Sequence, residues 1–514
     1  MRPSMRLTIR FGDVWSLLGA ALLVVGLLVR FALYFPLAAF QIDSDAVLSG
    51  LCAFRIADGD FPIFFPGGTR LGAASCYAAA GYFHLFGPGR IGLALTGLTW
   101  GALYLVFTLL FLQAMLGRKL ACLAFLFAVV PSEQFMTVTY APWAYGEIMA
   151  ACAATLWLAA LWRGEGLLWQ RLCFGFSVGI GLWFSMESFM VALPAIAWIA
   201  LKRRGAIVGE AIPAFAAAVI AATPFWIGNI GRGFPSLSQN WASKPASSIG
   251  QGVANFVWLS TYMLPKLLFR SSGWWSETTV LIVAYAIVAV GFVIAMRRNR
   301  CISAGSSSPR DVGFLLLLVF AACMLIFSAS QAGTSRGWTV RYIAPLYVVV
   351  PLFCGLGIQA MWTWSKSLAV ALVAALLIPN LVLYGLPGSP LRAELTTQLA
   401  NELRICDILA RDRIQMVYGD YFWVYHLNFD SHERIAGIPS AAIVDYLNYD
   451  GRVGRMPVRW ALLGGLDEVH RWSRELHAPG TVTADGDLSL FIADRPAPDA
   501  AALIAALRKI SSSQ

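Results

Sequence analysis

The sequence predicts a polytopic α-helical membrane protein that ends in a small soluble α/β domain, and three observations predict it. Hydrophobic residues make up 58% of the 514 and charged residues only 13%, against roughly 45–50% and about 25% in an ordinary soluble protein. Apolar runs of membrane-spanning length recur as far as residue 385, and beyond that point the composition becomes that of a water-soluble chain. With 19 Trp and 32 Phe as well, most of the surface must face lipid, which excludes a soluble enzyme, a secreted scaffold and a disordered regulator.

A hydrocarbon core about 30 Å thick needs ~20 apolar residues per helix. Eleven segments answer that description: 12–36, 91–116, 119–135, 146–162, 171–184, 187–201, 206–229, 279–296, 312–329, 341–361 and 367–385. Basic groups mark their cytoplasmic ends: Arg2, Arg6 and Arg10, then Arg118-Lys119, Lys202-Arg203-Arg204 and Arg297-Arg298-Asn299-Arg300. The formal net charge of +10 therefore reports topology rather than a nucleic-acid surface. The same rule decides segment 171–201. As one helix it would carry the 202–204 and 297–300 clusters outside, so two short helices meeting at Ser185-Met186-Glu187-Ser188 are expected. The first run is longer than a signal-peptide core and lacks a small-x-small cleavage site before Gln41, so it is expected to stay as an anchor.

With the N-terminus inside, the outer face receives 37–90, 136–145, 230–278, 330–340 and everything after 386. Long outer loops and short basic inner ones place the working face outside the cytoplasm. After Leu386-Pro387-Gly388-Ser389-Pro390 an amphipathic helix (391–412) precedes strand-like stretches at 414–418, 434–438 and 459–463, with helices at 466–478 and 498–511. Alternating strand and helix predicts an α/β domain with a largely parallel sheet. The expected domains are 1–385 in the membrane and 386–514 outside it.

Nine Cys show no C-x-x-C pair. Cys52 and Cys76, both in the first outer loop, are either a bridge or two separate packing residues. The five His have no paired ligand spacing, and His426, His432, His470 and His477 are expected on the surface of the C-terminal domain. No Walker A sequence occurs.

The first outer loop carries the strongest chemical signal. Asp43-Ser44-Asp45 follows the first span directly, and the apolar run from Ala46 to Ala57 is expected to lie along the membrane interface. Carboxylates held there can act as general base, ligate a divalent cation or simply cap the helix. Arg341, where a span meets the outer surface, can hold a phosphate bidentately or snorkel. Lys266, Arg55 and Arg270 are weaker phosphate candidates, each of which reads first as a solvated or headgroup-facing charge. Glu147 and Glu187 are ionisable groups at membrane depth, where function is the default reading. In the C-terminal domain Tyr418, Tyr421, Phe422, Trp423 and Tyr425 either stack on sugar rings or pack a core, and Asp420 is either a cap or an acceptor contact.

Ser44-Asp45 followed by Gly50-Leu51, Ala53, Ile56, Gly59-Asp60-Phe61-Pro62-Ile63-Phe64-Phe65 and Gly67 resembles the first outer loop of GT-C-fold glycosyltransferases. These are the multi-span enzymes related to protein O-mannosyltransferases and lipid A aminoarabinose transferases. The similarity continues through Tyr77, Ala80 and Leu85-Phe86-Gly87, then Tyr145-Gly146-Glu147, Gly181-Leu182-Trp183 with Pro194, Pro224 with Asn229, Arg341-Tyr342-Ile343-Ala344-Pro345-Leu346, and Tyr418-Gly419-Asp420-Tyr421-Phe422-Trp423 with Tyr425. No one element is specific, but their order over nearly the whole chain is.

The resemblance implies sugar transfer from a polyprenyl-phosphate carrier to a glycan, lipid or protein acceptor at the outer face of a prokaryotic plasma membrane. Asp45 stands at the position of the base, with Asp43 as the second candidate, and Glu147, Glu187, Tyr145, Asp420 and Trp423 are candidate substrate contacts. A lipid-phosphate donor has no pyrophosphate that demands a cation, so no metal is required; Asp43 and Asp45 would be the ligands of one. Many relatives carry acidic residues where this chain has Ala46 and Ser75, which leaves open a different acceptor or a lowered activity. A transporter of lipid-linked saccharides and a catalytically silent envelope-assembly relative are the competing functions.

Overall fold

The computed structural model describes residues 13–40, 44–66, 68–140, 145–164, 166–204, 206–238, 245–268, 275–298, 308–330, 339–385, 390–440, 449, 453, 457–485 and 488–512. The first apolar run forms α1 (Val14–Phe40). Two shorter helices, α2 (Ser44–Ala57) and α3 (Ala74–Phe86), occupy the first expected outer loop, and α4 (Arg90–Leu116) follows. After α5 (Arg118–Val129) the chain breaks at Val130-Pro131-Ser132, where a proline cannot continue the hydrogen-bond ladder. It then resumes as α6 (Glu133–Tyr140) and α7 (Tyr145–Gly164).

The expected division of segment 171–201 is present. α8 (Leu168–Phe184) stops at Ser185, a single 3-10 turn spans Met186–Ser188, and α9 (Phe189–Lys202) follows. α10 (Ile207–Ala221) bends by 57° into α11 (Thr223–Asn229), with Pro224 at the head of the second piece, where a missing N–H costs nothing. α12 (Trp275–Arg298) and α13 (Pro309–Ser328) follow, then a 3-10 helix over Thr339–Val348. That helix turns by 53° into α14 (Val350–Trp364), and α15 (Lys366–Gly385) ends the apolar part.

Among the described residues, five helices (α1, α4, α7, α12 and α13) are long and apolar enough to cross a membrane, and the two bent pairs raise that number to seven. The remaining expected segments are occupied by α5, α8, α9 and α15. α5 has only 12 residues, about 18 Å of rise, which is short of a bilayer core. The protein is a multi-pass membrane protein.

The soluble segments begin with α16 (Pro390–Arg411) and β1 (Met416–Gly419), followed by α17 (Tyr421–Asp430), β2 (Ala436–Pro439) and β3 (Trp460–Gly464). α18 (Leu466–Glu475), β4 (Gly480–Asp485), β5 (Leu488–Ala493) and α19 (Ala500–Ser512) complete the chain. The sheet runs β2-β1-β3-β5-β4. β1 is parallel to both neighbours, with Val417 opposite Gly437 and Ala461. β5, however, is antiparallel to β3 and to β4, so the expected largely parallel sheet is a mixed one. The cause is a hairpin with Asp485 opposite Leu488, and its signal was legible in the sequence as Gly486-Asp487, a dipeptide with glycine first that suits two-residue turns.

Two compact units emerge. One holds the described residues within Met1–Tyr34, Thr69–Ala74 and Gly97–Leu386; the other holds those within Phe35–Gly68, Ser75–Thr96 and Pro387–Gln514. In the first, α7 is buried on nearly all sides, as an all-round apolar helix must be, and it packs on α8, α9 and the 339–348 helix. In the second, α2 packs on α17. Its residues 46–53 are buried throughout, so the run expected along the membrane interface is instead a core helix. Gly50 makes that approach possible, since a Cβ there would lie 2.4 Å from the Phe429 ring. Phe54 stacks on the same ring at 5.5 Å.

Candidate active site

In the first unit, four separated segments bring ionisable groups together. Leu71 pairs with Ser185 in an isolated antiparallel bridge, and the Gly72 N–H donates to the Phe184 carbonyl at 3.0 Å. Only glycine allows this, because a Cβ at Gly72 would lie 2.6 Å from the Trp183 carbonyl oxygen. The bridge sets Arg70 beside the Met186–Ser188 turn. Ser185 Oγ accepts from the Glu187 N–H at 3.2 Å and fixes that turn. Tyr145, the first residue of α7 and 2% exposed, donates its hydroxyl to Glu187 Oε1 at 3.4 Å. The 339–348 helix packs on both α7 and the turn, and it contributes Arg341, whose guanidinium lies 5.2 Å from the Tyr342 ring.

Burial pushes the Glu187 carboxyl up to about 7, while the charges of Arg70 and Arg341 and the Tyr145 hydrogen bond pull against that rise. Its Oε2 is covered and has no hydrogen-bond partner among the described residues. A carboxyl in this condition exchanges its proton near neutrality, and perturbed groups of this kind mark functional sites. The charges of Arg70 and Arg341 both reach Glu187 and Tyr145, so an anion held by either guanidinium would meet positive charge here. The same unit holds an apolar cavity of about 290 Å³. Leu264 and Leu268, which flank Lys266, and Leu346 of the Arg341 helix are among its lining residues. Lys266 stands 5.9 Å from the Tyr262 ring, just after a π-helical turn over Leu259–Met263.

Of the residues singled out from sequence, the structure thus assembles Tyr145, Glu187 and Arg341. Arg70 and Tyr342 were missed as site residues: Arg70 sits in a loop without periodicity, and only the Leu71–Ser185 bridge shows where it points. Glu147 is fully buried in α7. Asp43 and Arg270 lie outside the described residues, and Asp45 is the second residue of α2, with its side chain outside them. At the two departures from the family pattern, Ala46 is 1% and Ser75 0% exposed, positions where an unpaired carboxylate would be costly.

The remaining candidates belong to the second unit. Arg55 pairs with Glu433 at 3.3 Å and faces the Tyr449 ring. Asp420 precedes α17, where its carbonyl accepts from the N–H groups of Trp423 and Val424. Tyr418, Tyr421 and Tyr425 are core residues, whereas Trp423 is half-buried. Cys52 and Cys76 are both buried free thiols.

Sequence reasoning also missed a buried charge cluster in this unit. Arg90, at the head of α4, donates to Glu402 of α16 at 2.9 Å and to both carboxylate oxygens of Asp430 in α17. His426, expected at the surface, is 7% exposed, with Nδ1 3.5 Å from Glu402. Although burial acts the other way, His426 and Arg90 hold the Glu402 carboxyl below its usual range. Glu402, His426 and Asp430 offer ligand atoms within 4.8 Å of one another and so form a triad that could hold a divalent cation. A cation there would share its carboxylates with Arg90.

Two glycine spacings have the letters of a chemical motif without its context. Gly87-Pro88-Gly89-Arg90-Ile91-Gly92 reads G-x-G-x-x-G but joins α3 to α4 rather than a strand to a helix. Gly175-Phe176-Ser177-Val178-Gly179 reads G-x-S-x-G, yet it lies inside α8, with Ser177 Oγ 2.7 Å from Thr155 Oγ1.

No protein-family model matches the chain, and no curated protein sequence does. Solved structures do. ArnT from Cupriavidus metallidurans bound to undecaprenyl phosphate aligns over 92% of this chain and 97% of its own, at 12% identity and a TM-score of 0.61. Its apo form aligns over 94% and 98%, also at 12% identity, with a TM-score of 0.60. The archaeal oligosaccharyltransferase AglB from Archaeoglobus fulgidus, in complex with an inhibitory peptide and a dolichol-phosphate, aligns over 96% and 77%, at 11% identity and a TM-score of 0.50. At such identities the likeness is one of architecture, and with its membrane helices and its mixed C-terminal sheet the chain has the GT-C fold.

Proposed function

We propose that the protein is an integral-membrane glycosyltransferase that moves a sugar from a polyprenyl-phosphate donor to an acceptor at the outer face of a prokaryotic plasma membrane. In this reading the N-terminus is cytoplasmic, residues 1–385 form the transmembrane domain, and 386–514 form an extracytoplasmic one. The observation that carries it is that one unit holds both Arg70 and Arg341, whose charges reach Glu187, and an apolar cavity lined in part by Leu346 of the helix that bears Arg341. A lipid phosphate needs both, a charged site for its head and a dry groove for its tail.

Arg70 and Arg341 hold the phosphate and stabilise it as leaving group, with Lys266 in support. Asp45, at the head of α2, accepts the acceptor's proton as the bond to the anomeric carbon forms, and Asp43 is the alternative base. Tyr145, Glu147 and Glu187 contact the donor, and Asp420 and Trp423 the acceptor. The likeness to ArnT supports the donor class, since that protein was solved with undecaprenyl phosphate. Neither the identity of the acceptor nor a metal requirement enters this proposal.

The test is to reconstitute the full chain in liposomes with a polyprenyl-phosphate sugar. Transfer that Asp45→Asn and Asp43→Asn together abolish supports the reading, and full activity in both variants removes the base assignment. Movement of the lipid-linked sugar across the bilayer without transfer shows a transporter instead. A reporter fused after Gly388 should be active only outside the cytoplasm.

A further inference from the structure

In the first unit an acid lies in the field of Arg70 and Arg341. Glu187 sits on the Met186–Ser188 turn. Arg70 is tied to that turn by the Leu71–Ser185 bridge, and Arg341 is carried by a helix packed against it. Tyr145 donates to one of its carboxyl oxygens, and the other is covered. Among the described residues, the charges that reach Glu187 are those of Arg70 from the loop and Arg341 from the 339–348 helix, and the titratable Tyr145 and Cys152 of α7 also face it. A phosphate held by Arg70 or Arg341 would therefore share the field of that arginine with a carboxylate that is already there.

We propose that Glu187 is the internal counter-ion of this anion site: ionised, it occupies the field of Arg70 and Arg341 while no lipid phosphate is bound, and it takes up a proton from solvent when one enters. The inference rests on the reading that these arginines hold the donor phosphate. Its physical basis is that two anions in a partly desolvated site cannot both keep their charge at low cost. The donor's phosphate is a diester with a single negative charge, and the lipid phosphate left after transfer is a monoester carrying about −1.5 to −2 near neutral pH; either claims the guanidinium donors, so the carboxyl is the group that gives way. Burial has already brought Glu187 to about 7, which leaves little work for that step.

Protonation also changes what the side chain offers. A carboxylate only accepts hydrogen bonds, whereas the neutral acid has an O–H to donate to a phosphate oxygen. Because linkage is reciprocal, phosphate raises the proton affinity of Glu187 and the proton raises the affinity for phosphate. A lipid phosphate left behind by transfer would accordingly be released more readily as the pH rises.

The experiment uses the full chain in nanodiscs with undecaprenyl phosphate as probe, titrated between pH 6 and 8.5. The wild type should lose affinity as pH rises above about 7, approaching tenfold per pH unit. Ionisation of the phosphate itself works in the opposite direction, because it adds charge for the arginines to hold. Glu187→Gln, which keeps the shape, should flatten the profile and bind more tightly than wild type at pH 8.5. Calorimetry of the wild type at pH 7.5 in two buffers of different ionisation enthalpy should show net proton uptake on binding, and Glu187→Gln should not. An unchanged pH slope in Glu187→Gln, or no proton uptake by the wild type, overturns the proposal. Arg341→Ala separates the two levels of inference. If it loses the probe at every pH, the phosphate site stands whatever Glu187 does; if it binds like wild type, the donor-phosphate reading itself is wrong.

Discussion

Glu402 is buried and Glu187 is half-buried with one carboxyl oxygen covered; both have arginines near them, and the fold pushes them in opposite directions. Glu402, its side chain 4% exposed, receives Arg90 at 2.9 Å and has His426 Nδ1 at 3.5 Å, and its carboxyl is held below the usual range. Glu187 feels Arg70 and Arg341 but takes only a long hydrogen bond from Tyr145, so burial wins and its carboxyl rises to about 7. A contact ion pair with charge-assisted hydrogen bonds offsets desolvation, and charges at longer range do not. The first arrangement ties together α4, α16 and α17 within the second unit. The second keeps a proton exchangeable near neutral pH, a property of sites that do chemistry.

That contrast can be broken at either end. The largest effect is expected from Asp45→Asn, which should cut transfer from a polyprenyl-phosphate sugar by roughly 10²- to 10⁴-fold without lowering the melting temperature. If activity survives while Glu187→Gln abolishes it, the base belongs to the exchangeable carboxyl instead. Arg90→Ala should destabilise the protein by about 3–5 kcal/mol, since it leaves Glu402 and Asp430 buried without their cation. The readout is a lower melting temperature and faster proteolysis of the C-terminal segment, and an unchanged melting temperature would mean that the cluster holds nothing together.

Smaller effects sharpen the comparison. Arg341→Ala should raise KM for the donor roughly 10- to 100-fold, in line with about 1.5–3 kcal/mol for hydrogen bonds to a charged group. Arg341→Lys should recover only part, because an ammonium cannot bind bidentately. The subtlest difference is one of sign with pH. Glu402, lowered in the fold, contributes stability that is present above the ordinary glutamate value and is lost as pH falls through its lowered one. Glu187, raised in the fold, binds a proton that the unfolded chain has released, so stability falls as pH climbs from the ordinary glutamate value to about 7. Thermal melts across that range should show Glu187→Gln removing the neutral-side loss and Glu402→Gln the acid-side one. Equal slopes in both variants would erase the distinction between the two carboxyls.

Much of the architecture was legible because it follows from local rules. Apolar length located the helices of the membrane part, although the expected segment 119–135 is broken at Val130-Pro131-Ser132, and basic clusters divided α8 from α9 at Ser185. Strand-like runs marked β1, β2 and β3. The β4–β5 hairpin was announced by Gly486-Asp487 and overlooked. Burial was harder to foresee. α2 has the composition of an interfacial helix, and only its packing on α17 through Gly50 and Phe429 makes it a core helix.

The sequence by itself determined that this chain lies in a membrane, where its helices fall, and which few acidic and basic residues are candidates for chemistry. Hydrophobic length and charge flanking are local properties that a bilayer reads directly. Tertiary structure alone decided which of those residues meet. Arg70 reaches Glu187 because Leu71 pairs with a residue more than a hundred positions away, and His426 becomes a buried neighbour of Glu402 because α16 packs on α17. The physical reason is that a carboxyl's proton affinity depends on the groups around it in space, and their distance along the chain says nothing about that.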